Sequence, residues 1–212
     1  MVYLNQNLKK YLDDLADKKP APGGGSAAAL VSAMGSALIS MVCNFTIGRK
    51  KYKEMEEEVK KFFEDNESLR FRLMELIDLD ITAYEKVNQI RKAVKENSKE
   101  KDRIMFREAI REAIAVPLEV CQLSIRVLKI CRSLVDITNI NLISDLYASA
   151  SLLKAGFQSA LVNIEINLNN LKDCNYIVEI RKIIEPLIKE NETISELIKE
   201  RVKEKMFEKN GE

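Results

Sequence analysis

One carboxylate, Asp80, lies where helical spacing predicts an apolar face. Apolar residues recur three or four positions apart through residues 69–90, and Leu76 and Tyr84 flank Asp80 on the same side. Asp78 points to nearly the opposite side and is predicted to face solvent. A carboxylate on a core face is destabilising unless it is paired or protonated. Asp80 is therefore either a buried hydrogen-bonding group between helices or a general acid or base with a raised pKa, and the residues leave both interpretations open.

A second candidate site is the proline- and glycine-rich turn that precedes a long apolar run. Pro22 restricts the backbone before it, and Ser26 is a candidate N-cap for the helix that follows. Between them, Gly23, Gly24 and Gly25 permit a tight turn or a close approach to another group. For a lone glycine cluster, a helix start with close packing is the better interpretation. The alternative is a ligand site, since free amide groups at a helix N-terminus attract anions, although the spacing of a phosphate-binding loop is absent.

Polar side chains on a later helix form a third candidate site. In residues 145–171, which are poor in charge, Asp145, Asn163 and Asn167 share a small, polar face beside the apolar core face. Buried amides and carboxylates need partners. Either these groups satisfy one another between helices, or they line a pocket for a hydrogen-bonding heterocycle. In the second case we expect this face to meet the small face of the Ser26–Phe45 helix around a cleft, with Asp80 at its edge.

A cationic cluster, Arg49, Lys50 and Lys51, directly follows the uncharged stretch. The interpretation favoured by the residues alone is compensation of the helix dipole at a helix C-terminus. The functional alternative is that these cations bind the anionic tail of a ligand.

Composition narrows the chemistry further. The chain of 212 residues has a net charge of +1 with interleaved acidic and basic residues, so we do not expect nucleic acid as a partner. It contains no histidine, which removes His-containing triads and the usual zinc sites, and we expect no metal. Its four cysteines include no Cys-x-x-Cys pair, and the N-terminus has no signal-peptide pattern. We therefore expect reduced thiols in a cytoplasmic protein.

The stretch Pro20–Gly48 must position these groups. It carries no charged residue, although charged residues make up 32% of the chain. One face of its predicted helix is large and apolar and another is small, so we expect a helix that is buried all round. Its length would also allow a membrane span. Its Ser, Gly and Asn content, together with the amphipathic helices elsewhere, favours a core helix and no membrane.

The remaining segments predict an all-α, antiparallel helical bundle with long, partly kinked helices around this buried uncharged helix. Pro117 is expected to kink its helix or to start a new segment, and Pro186 to kink another. A break is expected near Asp65-Asn66. Since there is no repeat or long linker, residues 1–212 are predicted to form a single domain. The predicted helices span about residues 4–17, 26–48, 52–66, 69–90, 102–135, 145–171 and 174–207.

Six short motifs occur in order along the chain. They are PxPGGGS at 20–26, NFTIGRKKY at 44–52, D-x-x-A-Y at 80–84, AVPL at 115–118, N-x-N-x-x-S-D at 139–145 and NIEINLNNLKD at 163–173. Together they resemble the cyclodeaminase/cyclohydrolase family, which comprises the cyclodeaminase domain of formiminotransferase-cyclodeaminase and stand-alone bacterial methenyltetrahydrofolate cyclohydrolases. The resemblance covers about residues 4–205 and rests on several motifs in register. One departure is Thr138, where the family pattern leads us to expect glycine.

The resemblance implies an all-α bundle, usually dimeric, that binds a tetrahydrofolate derivative, often with a polyglutamate tail. It implies chemistry on the one-carbon unit that joins N5 and N10, with Asp80 as the catalytic residue. It also assigns Pro22–Ser26 and the polar helix with Asp145 and Asn163 to the substrate site. We therefore expect Asp145 and Asn163 to hold the pterin ring while Asp80 faces the one-carbon unit. We expect at least one of residues 49–51 to contact the glutamate tail, with a dimer interface as one route.

The leading hypothesis is the enzyme formimidoyltetrahydrofolate cyclodeaminase, which releases ammonia and forms 5,10-methenyltetrahydrofolate. The alternative is methenyltetrahydrofolate cyclohydrolase, which adds water to give 10-formyltetrahydrofolate, and the sequence does not separate the two. One carboxylic acid could move the proton in either reaction, and neither needs a metal or another cofactor. The hypothesis of another class is a non-catalytic helical folate-binding or scaffold protein. It would be favoured by an Asp80 locked in an interhelical salt bridge with no cavity beside it.

Overall fold

Helix accounts for most of the chain, and the all-α prediction is confirmed. The structure is a computed structural model that describes residues 3–96, 100–171 and 173–210, and this part of the chain contains no β-strand. The described α-helices are α1 (Leu8–Ala16), α2 (Gly24–Thr46), α3 (Glu56–Glu96), α4 (Glu100–Leu134), α5 (Ile143–Asn169) and α6 (Cys174–Asn210). Short 3-10 turns lie at Tyr3–Asn5, Lys50–Met55 and Ile140–Leu142.

Helices α2 to α5 form the body of the bundle. α2 packs mainly against α3 and α5, α4 packs against the same two helices, and α6 lies on α4 and α5. The start of α2 meets the later parts of both α3 and α5, so α2 is antiparallel to each. The antiparallel bundle agrees with the prediction, and one continuous core of apolar side chains runs through it.

The small face of α2 lets α5 approach closely. At Gly35 an added Cβ would lie 2.9 Å from the Leu153 side chain, and at Gly156 it would lie 2.1 Å from the Ser32 hydroxyl oxygen. The missing side chains therefore set how near the two helices can lie. Across the same contact the Ser149 hydroxyl donates to the Gly35 carbonyl oxygen at 2.7 Å, so a polar atom of the small face is satisfied inside the core.

A buried amide joins α2 to α3. The fully buried Asn66 donates from Nδ2 to the Ser36 carbonyl oxygen at 2.9 Å and to Ser40 Oγ at 2.8 Å, and its Oδ1 accepts from the Ser36 hydroxyl at 2.9 Å. The predicted break near Asp65-Asn66 is wrong. α3 continues through this point because the polar side chain turns into the core and is satisfied there.

Two prolines lie inside continuous helices. Pro117 is part of α4 and Pro186 is part of α6, and neither helix is interrupted. The alternative that a new helical segment starts at Pro117 is therefore wrong. Pro117 is buried, and α4 packs against α3, α5 and α6, so tertiary contacts outweigh the hydrogen bond that the proline removes.

The face of α2 that carries large side chains is partly open. Met34 is 49% exposed and Phe45 is 51% exposed, whereas the small residues are buried. The expectation of burial all round is wrong, because close contact with α3 and α5 uses the small face and leaves the large one outside. By length and composition alone, α2 is the one described helix that could cross a membrane, and 61% of that apolar stretch is buried inside the bundle. Such burial is typical of a core helix.

Candidate active site

A cleft with a volume of about 360 Å³ opens beside the start of α2. Helices α2, α3, α4 and α5 all contribute to its walls, and its volume is in the range of small-molecule sites. The lining residues are Pro20, Ala21, Gly23, Gly24, Gly25, Asp80, Ile81, Ala83, Tyr84, Val87, Arg91, Ala113, Asn163, Ile166, Asn167 and Asn170.

The first turn of α2 begins at the glycines themselves. Gly23 is the N-cap, with an extended backbone and no side-chain capping bond, and Gly24 starts the helix. The prediction that Ser26 is the cap is wrong, because Ser26 is fully buried one turn inside, where its hydroxyl pairs with that of Tyr11 at 3.1 Å. Pro22 is buried just before the turn. Because the N-cap residue is glycine, the N-terminal amides of α2 beside the cleft must find their partners on other elements.

The Asp80 carboxylate lies against this first turn. A Cβ added at Gly25 would lie 2.2 Å from Asp80 Oδ1, so the contact requires glycine. Burial raises the pKa of Asp80 to about 6, and a hydrogen bond from the Ser26 backbone N–H acts in the opposite direction. Among the residues that the structure describes, no cation forms an ion pair with Asp80. The scaffold hypothesis would be favoured by an Asp80 held in an interhelical salt bridge with no cavity beside it. Instead, Asp80 forms no ion pair with the described residues, and a cleft lies beside it.

Two amides of α5 line the same cleft. Asn163 Nδ2 donates to the Ser159 carbonyl oxygen at 2.8 Å, and Asn167 Nδ2 donates to the Ala113 carbonyl oxygen at 3.2 Å. Since the backbone engages the amide nitrogens, the side-chain oxygens are left to accept hydrogen bonds from a ligand. Gly24 lies opposite, where an added Cβ would be 3.5 Å from Asn163 Nδ2, an ordinary contact distance.

Two groups predicted for the site lie elsewhere in the chain. Asp145 is in the first turn of α5, about 27 Å along the helix axis from Asn163. The prediction that Asp145 and Asn163 hold one ring is wrong within a single chain, because side chains at opposite ends of a long helix cannot meet. Residues 49–51 follow the other end of α2, about 35 Å from the glycine turn, and do not reach the cleft of their own chain.

Two side chains outside the cleft support the backbone. Asp78 is not simply solvated as predicted: its carboxylate accepts the backbone N–H groups of Tyr3 at 2.7 Å and Leu4 at 3.2 Å, and so holds the N-terminal turn. Thr138, in place of the expected glycine, donates its hydroxyl to the Leu134 carbonyl oxygen at 2.7 Å at the end of α4. Neither residue lines the cleft.

The sequence interpretation missed the far part of the α3 wall. Beyond Asp80, the side chains of Tyr84, Val87 and Arg91 line the cleft, and Asn170 extends the facing wall on α5. The signal that could have found the α3 residues is spacing, since positions four, seven and eleven residues after Asp80 share its helix face.

Comparison with known proteins agrees with this fold. Residues 7–186 match the profile of the family described as formiminotransferase-cyclodeaminase. The chain is 37% identical over 204 residues to a methenyltetrahydrofolate cyclohydrolase of Methylorubrum extorquens, covering 95% of this chain and 98% of that protein. It is 29% identical over 201 residues to the formimidoyltransferase-cyclodeaminase of Sus scrofa, of which it spans 37%. A crystal structure of formiminotetrahydrofolate cyclodeaminase from Thermotoga maritima has a TM-score of 0.86 at 31% identity, covering 94% of this chain and 96% of that chain.

The fold and the cleft define an all-helical enzyme in which one carboxyl group with a near-neutral pKa faces a ligand-sized site. The chain belongs to the formiminotransferase-cyclodeaminase family. The family resemblance inferred from the sequence is confirmed, as is the expectation of an enzyme.

We predict that replacing Asp80 by Asn stabilises the protein at neutral pH. Because folding raises the pKa of Asp80 to about 6, the folded state favours the protonated acid. Its stabilising contribution is full below about pH 4, the unfolded value, and is lost as the pH rises through about 6. Asp80→Asn should therefore gain about 2 kcal/mol over wild type between pH 4 and pH 8, measured by urea unfolding at each pH. A constant difference across that range would contradict the assignment.

The contact at Gly25 predicts a loss of activity without a large loss of stability. In Gly25→Ala the new methyl group must displace the Asp80 carboxylate, so turnover should fall about 100-fold while the free energy of unfolding changes by about 1 kcal/mol. Gly24→Ala is the matched control for the position of the acid, because its methyl group meets Asn163 at an ordinary distance and does not touch Asp80, so kcat at saturating substrate should stay within a few-fold of wild type. Equal effects of the two substitutions on turnover would show that the contact at Gly25 is unimportant.

Proposed function

We propose that this enzyme is a methenyltetrahydrofolate cyclohydrolase, which adds water to the carbon joining N5 and N10 and releases 10-formyltetrahydrofolate. The observation that carries the proposal is Asp80, a titratable carboxyl group beside a cleft of ligand size. Of the activities named among its relatives, the cyclohydrolase is favoured by the Methylorubrum extorquens protein, which this chain matches over 98% of that protein's length.

The charge of the substrate suits this carboxyl group. The methenyl bridge carries a positive charge shared between N5 and N10, and a partly buried carboxylate attracts such a cation more strongly than it would in water. Binding of the cation lowers the pKa of Asp80 from its raised value and favours the carboxylate. The carboxylate is the form that can accept a proton from water.

Asp80 acts first as a base and then as an acid. It takes one proton from a water molecule while the water oxygen bonds to the methenyl carbon, which leaves a neutral hydroxyl adduct. The bond from that carbon to N5 then breaks as Asp80 returns its proton to N5. The hydroxyl proton leaves to solvent as the formyl carbonyl forms on N10. One water is consumed, one proton is released, and Asp80 returns to its starting state.

The amides of α5 hold the pterin ring in this proposal. The pyrimidine edge of a pterin offers an amino group and a ring N–H, and the side-chain oxygens of Asn163 and Asn167 can accept both. The backbone of Gly23–Gly25, which has no side chains, lets a flat ring lie against the start of α2. This orientation directs the one-carbon unit toward Asp80.

Formimidoyltetrahydrofolate cyclodeaminase is the second candidate, favoured by the likeness to the Thermotoga maritima structure of that activity. In that reaction N10 attacks the formimino carbon carried on N5, and ammonia leaves. One proton must pass from N10 to the departing amine, and Asp80 can carry it by the same sequence of base and acid steps. Neither candidate reaction uses a metal or an organic cofactor.

We also propose that two copies associate through the open face of α2. This α2 apolar stripe consists of Leu30, Met34, Leu38, Met41 and Phe45. A groove lined in part by Leu8 and Met74 continues the stripe onto α1 and α3. Exposed apolar patches of this kind mark interaction sites, and an uncharged stripe can meet its own copy without repulsion.

A two-fold contact along the α2 apolar stripe gives the cations at residues 49–51 a route to a cleft, which is the cleft of the other copy. It pairs α2 of one copy with α2 of the other in antiparallel directions. With the axis near Leu38, residues 49–51 of one copy lie beside about residue 26 of the other, because equal distances on either side of the axis meet. Arg49, Lys50 and Lys51 then bind the polyglutamate tail of a substrate held in the neighbouring cleft.

A cytoplasmic location fits the thiols. All four cysteines are unpaired, and Cys43, Cys121 and Cys131 are buried. Free thiols are usual in a reducing compartment. The near-neutral net charge of +1 gives no attraction to nucleic acid, and the proposed function involves neither nucleic acid nor a membrane.

The dimer proposal predicts that Met34→Glu yields a monomer, because it places a charge in the centre of the α2 apolar stripe. Analytical ultracentrifugation measures the mass, and the preference for polyglutamylated over monoglutamylated substrate should be lost together with the dimer. The matched control is Phe207→Glu, since Phe207 on α6 is 75% exposed and lies outside the stripe. A wild-type protein that is monomeric at micromolar concentration would refute the proposal.

The proposed reaction predicts that Asp80→Asn lowers turnover by about 100-fold or more, because the amide cannot transfer the proton. Purified protein is assayed with methenyl- and formimidoyltetrahydrofolate side by side, and the substrate that wild type converts decides between the two activities. Asp78→Asn makes the same change on the other side of α3 and should retain wild-type turnover. An Asp80→Asn enzyme within a few-fold of wild type would exclude Asp80 as the proton carrier.

A further inference from the structure

A row of four side chains on one face of α3 lines the cleft. Asp80, Tyr84, Val87 and Arg91 all line it, and their spacing of four, three and four residues keeps them on one helix face. The row runs from an acid, through an aromatic ring and an apolar residue, to a cation. We define these four residues as the α3 row.

In the described part of the chain, the cation at the end of the row has no carboxylate partner. Within the described part of the chain, Asp80 and Arg91 are the charged residues among those that line the cleft, and no carboxylate forms an ion pair with Arg91. Another arginine of α3 differs, since Arg72 pairs with Glu119. The Arg91 guanidinium lies 5.8 Å from the centre of the Phe106 ring, a contact that leaves its N–H groups available.

The separation of the two charges matches the proposed substrate. Asp80 and Arg91 are about 16 Å apart along α3, and both side chains lean toward the start of the helix. The longer arginine side chain reaches back about 6 Å, which leaves about 10 Å between the carboxyl and guanidinium groups. In an extended folate, the one-carbon unit and the first glutamate carboxylate are also separated by about 10 Å of bonds through the benzoyl ring.

We propose that Arg91 binds the carboxylate of the first glutamate of the folate, and that the Tyr84 ring packs against the benzoyl group between. Tyr84 is 43% exposed, so its ring is free to cover a ligand in the cleft. This inference rests on the proposed function and identifies the residues that recognise the half of the substrate remote from the chemistry.

The arrangement gives the ligand one direction in the cleft. The cationic methenyl carbon is attracted to Asp80, while the anionic glutamate is attracted to Arg91 at the other end of the row. A substrate in the reversed direction would bring its carboxylate to Asp80 and its cation to Arg91, so both contacts would be repulsive. Arg91 is therefore a specificity-determining residue that acts on binding and not on proton transfer.

The test compares tetrahydrofolate with the primary amide of tetrahydropteroate, which lacks the glutamate and carries no carboxylate in its place. Calorimetry should show that wild type binds tetrahydrofolate about ten- to hundredfold more tightly, the usual range for a charged hydrogen bond. Arg91→Met should remove that difference by weakening tetrahydrofolate alone. Arg91→Lys should recover part of it. Lys92→Met, at the exposed neighbouring position, is the matched control and should retain the full difference.

Three results would overturn the assignment. They are a wild type that does not distinguish the two ligands, an Arg91→Met protein that still does, and an equal loss for both ligands. Tyr84→Ala should weaken both ligands, because both contain the benzoyl ring, whereas Tyr84→Phe should weaken neither.

Kinetics separates this inference from the proposed reaction. With monoglutamylated substrate, Arg91→Met should raise KM about ten- to hundredfold and leave kcat within about twofold. If wild type converts neither candidate substrate, the proposed function fails, while the two binding constants still decide the role of Arg91. A fall in kcat without a change in KM would count against a role in binding.

Discussion

The contact between the Asp80 carboxylate and the first turn of α2 depends on the absence of a side chain at Gly25. A Cβ there would overlap the carboxylate, so glycine sets how near an acid from α3 can lie to the N-terminal amides of α2. That distance controls the electrostatics of the site. The Ser26 N–H favours the charged form, burial disfavours it, and the balance leaves a pKa of about 6. A lysine partner would shift that balance and hold the acid ionised.

Close packing of α5 on α2 places the α5 wall of the cleft beside the first turn of α2. The missing side chains at Gly35 and Gly156 let α5 lie directly on α2, and this contact continues to the end of the pair, where Gly24 faces Asn163 across the cleft. The acid on α3 and the amides of Asn163 and Asn167 on α5 therefore stand on packed helices, which favours fixed distances between them. The same packing directs the large side chains of α2 outward. The close contact on the small face of α2 and the exposure of its large apolar face therefore have the same cause.

Helical spacing predicted most of the helices, although not the continuity of α3, and it singled out Asp80, because a carboxylate on an apolar face is visible in the local pattern. The same reasoning failed for Asp145, since spacing gives the angle around a helix but not the height at which a neighbouring helix crosses it. Ser26 was misassigned because capping depends on where the chain enters the helix. Arg91 was overlooked because its surroundings come from distant segments. The open face of α2 was not predicted, since an exposed apolar stripe has the same composition as a buried one.

The buried amide of Asn66 has a role beyond satisfying its own hydrogen bonds. Sliding α3 along α2 by one turn, about 5.4 Å, would leave the polar atoms of Ser36 and Ser40 without partners in the core. The hydrogen bonds of the Asn66 side chain therefore fix the alignment of α2 and α3 along their axes. Asp80 lies about 20 Å further along α3, and the antiparallel pair transmits that alignment to Gly25.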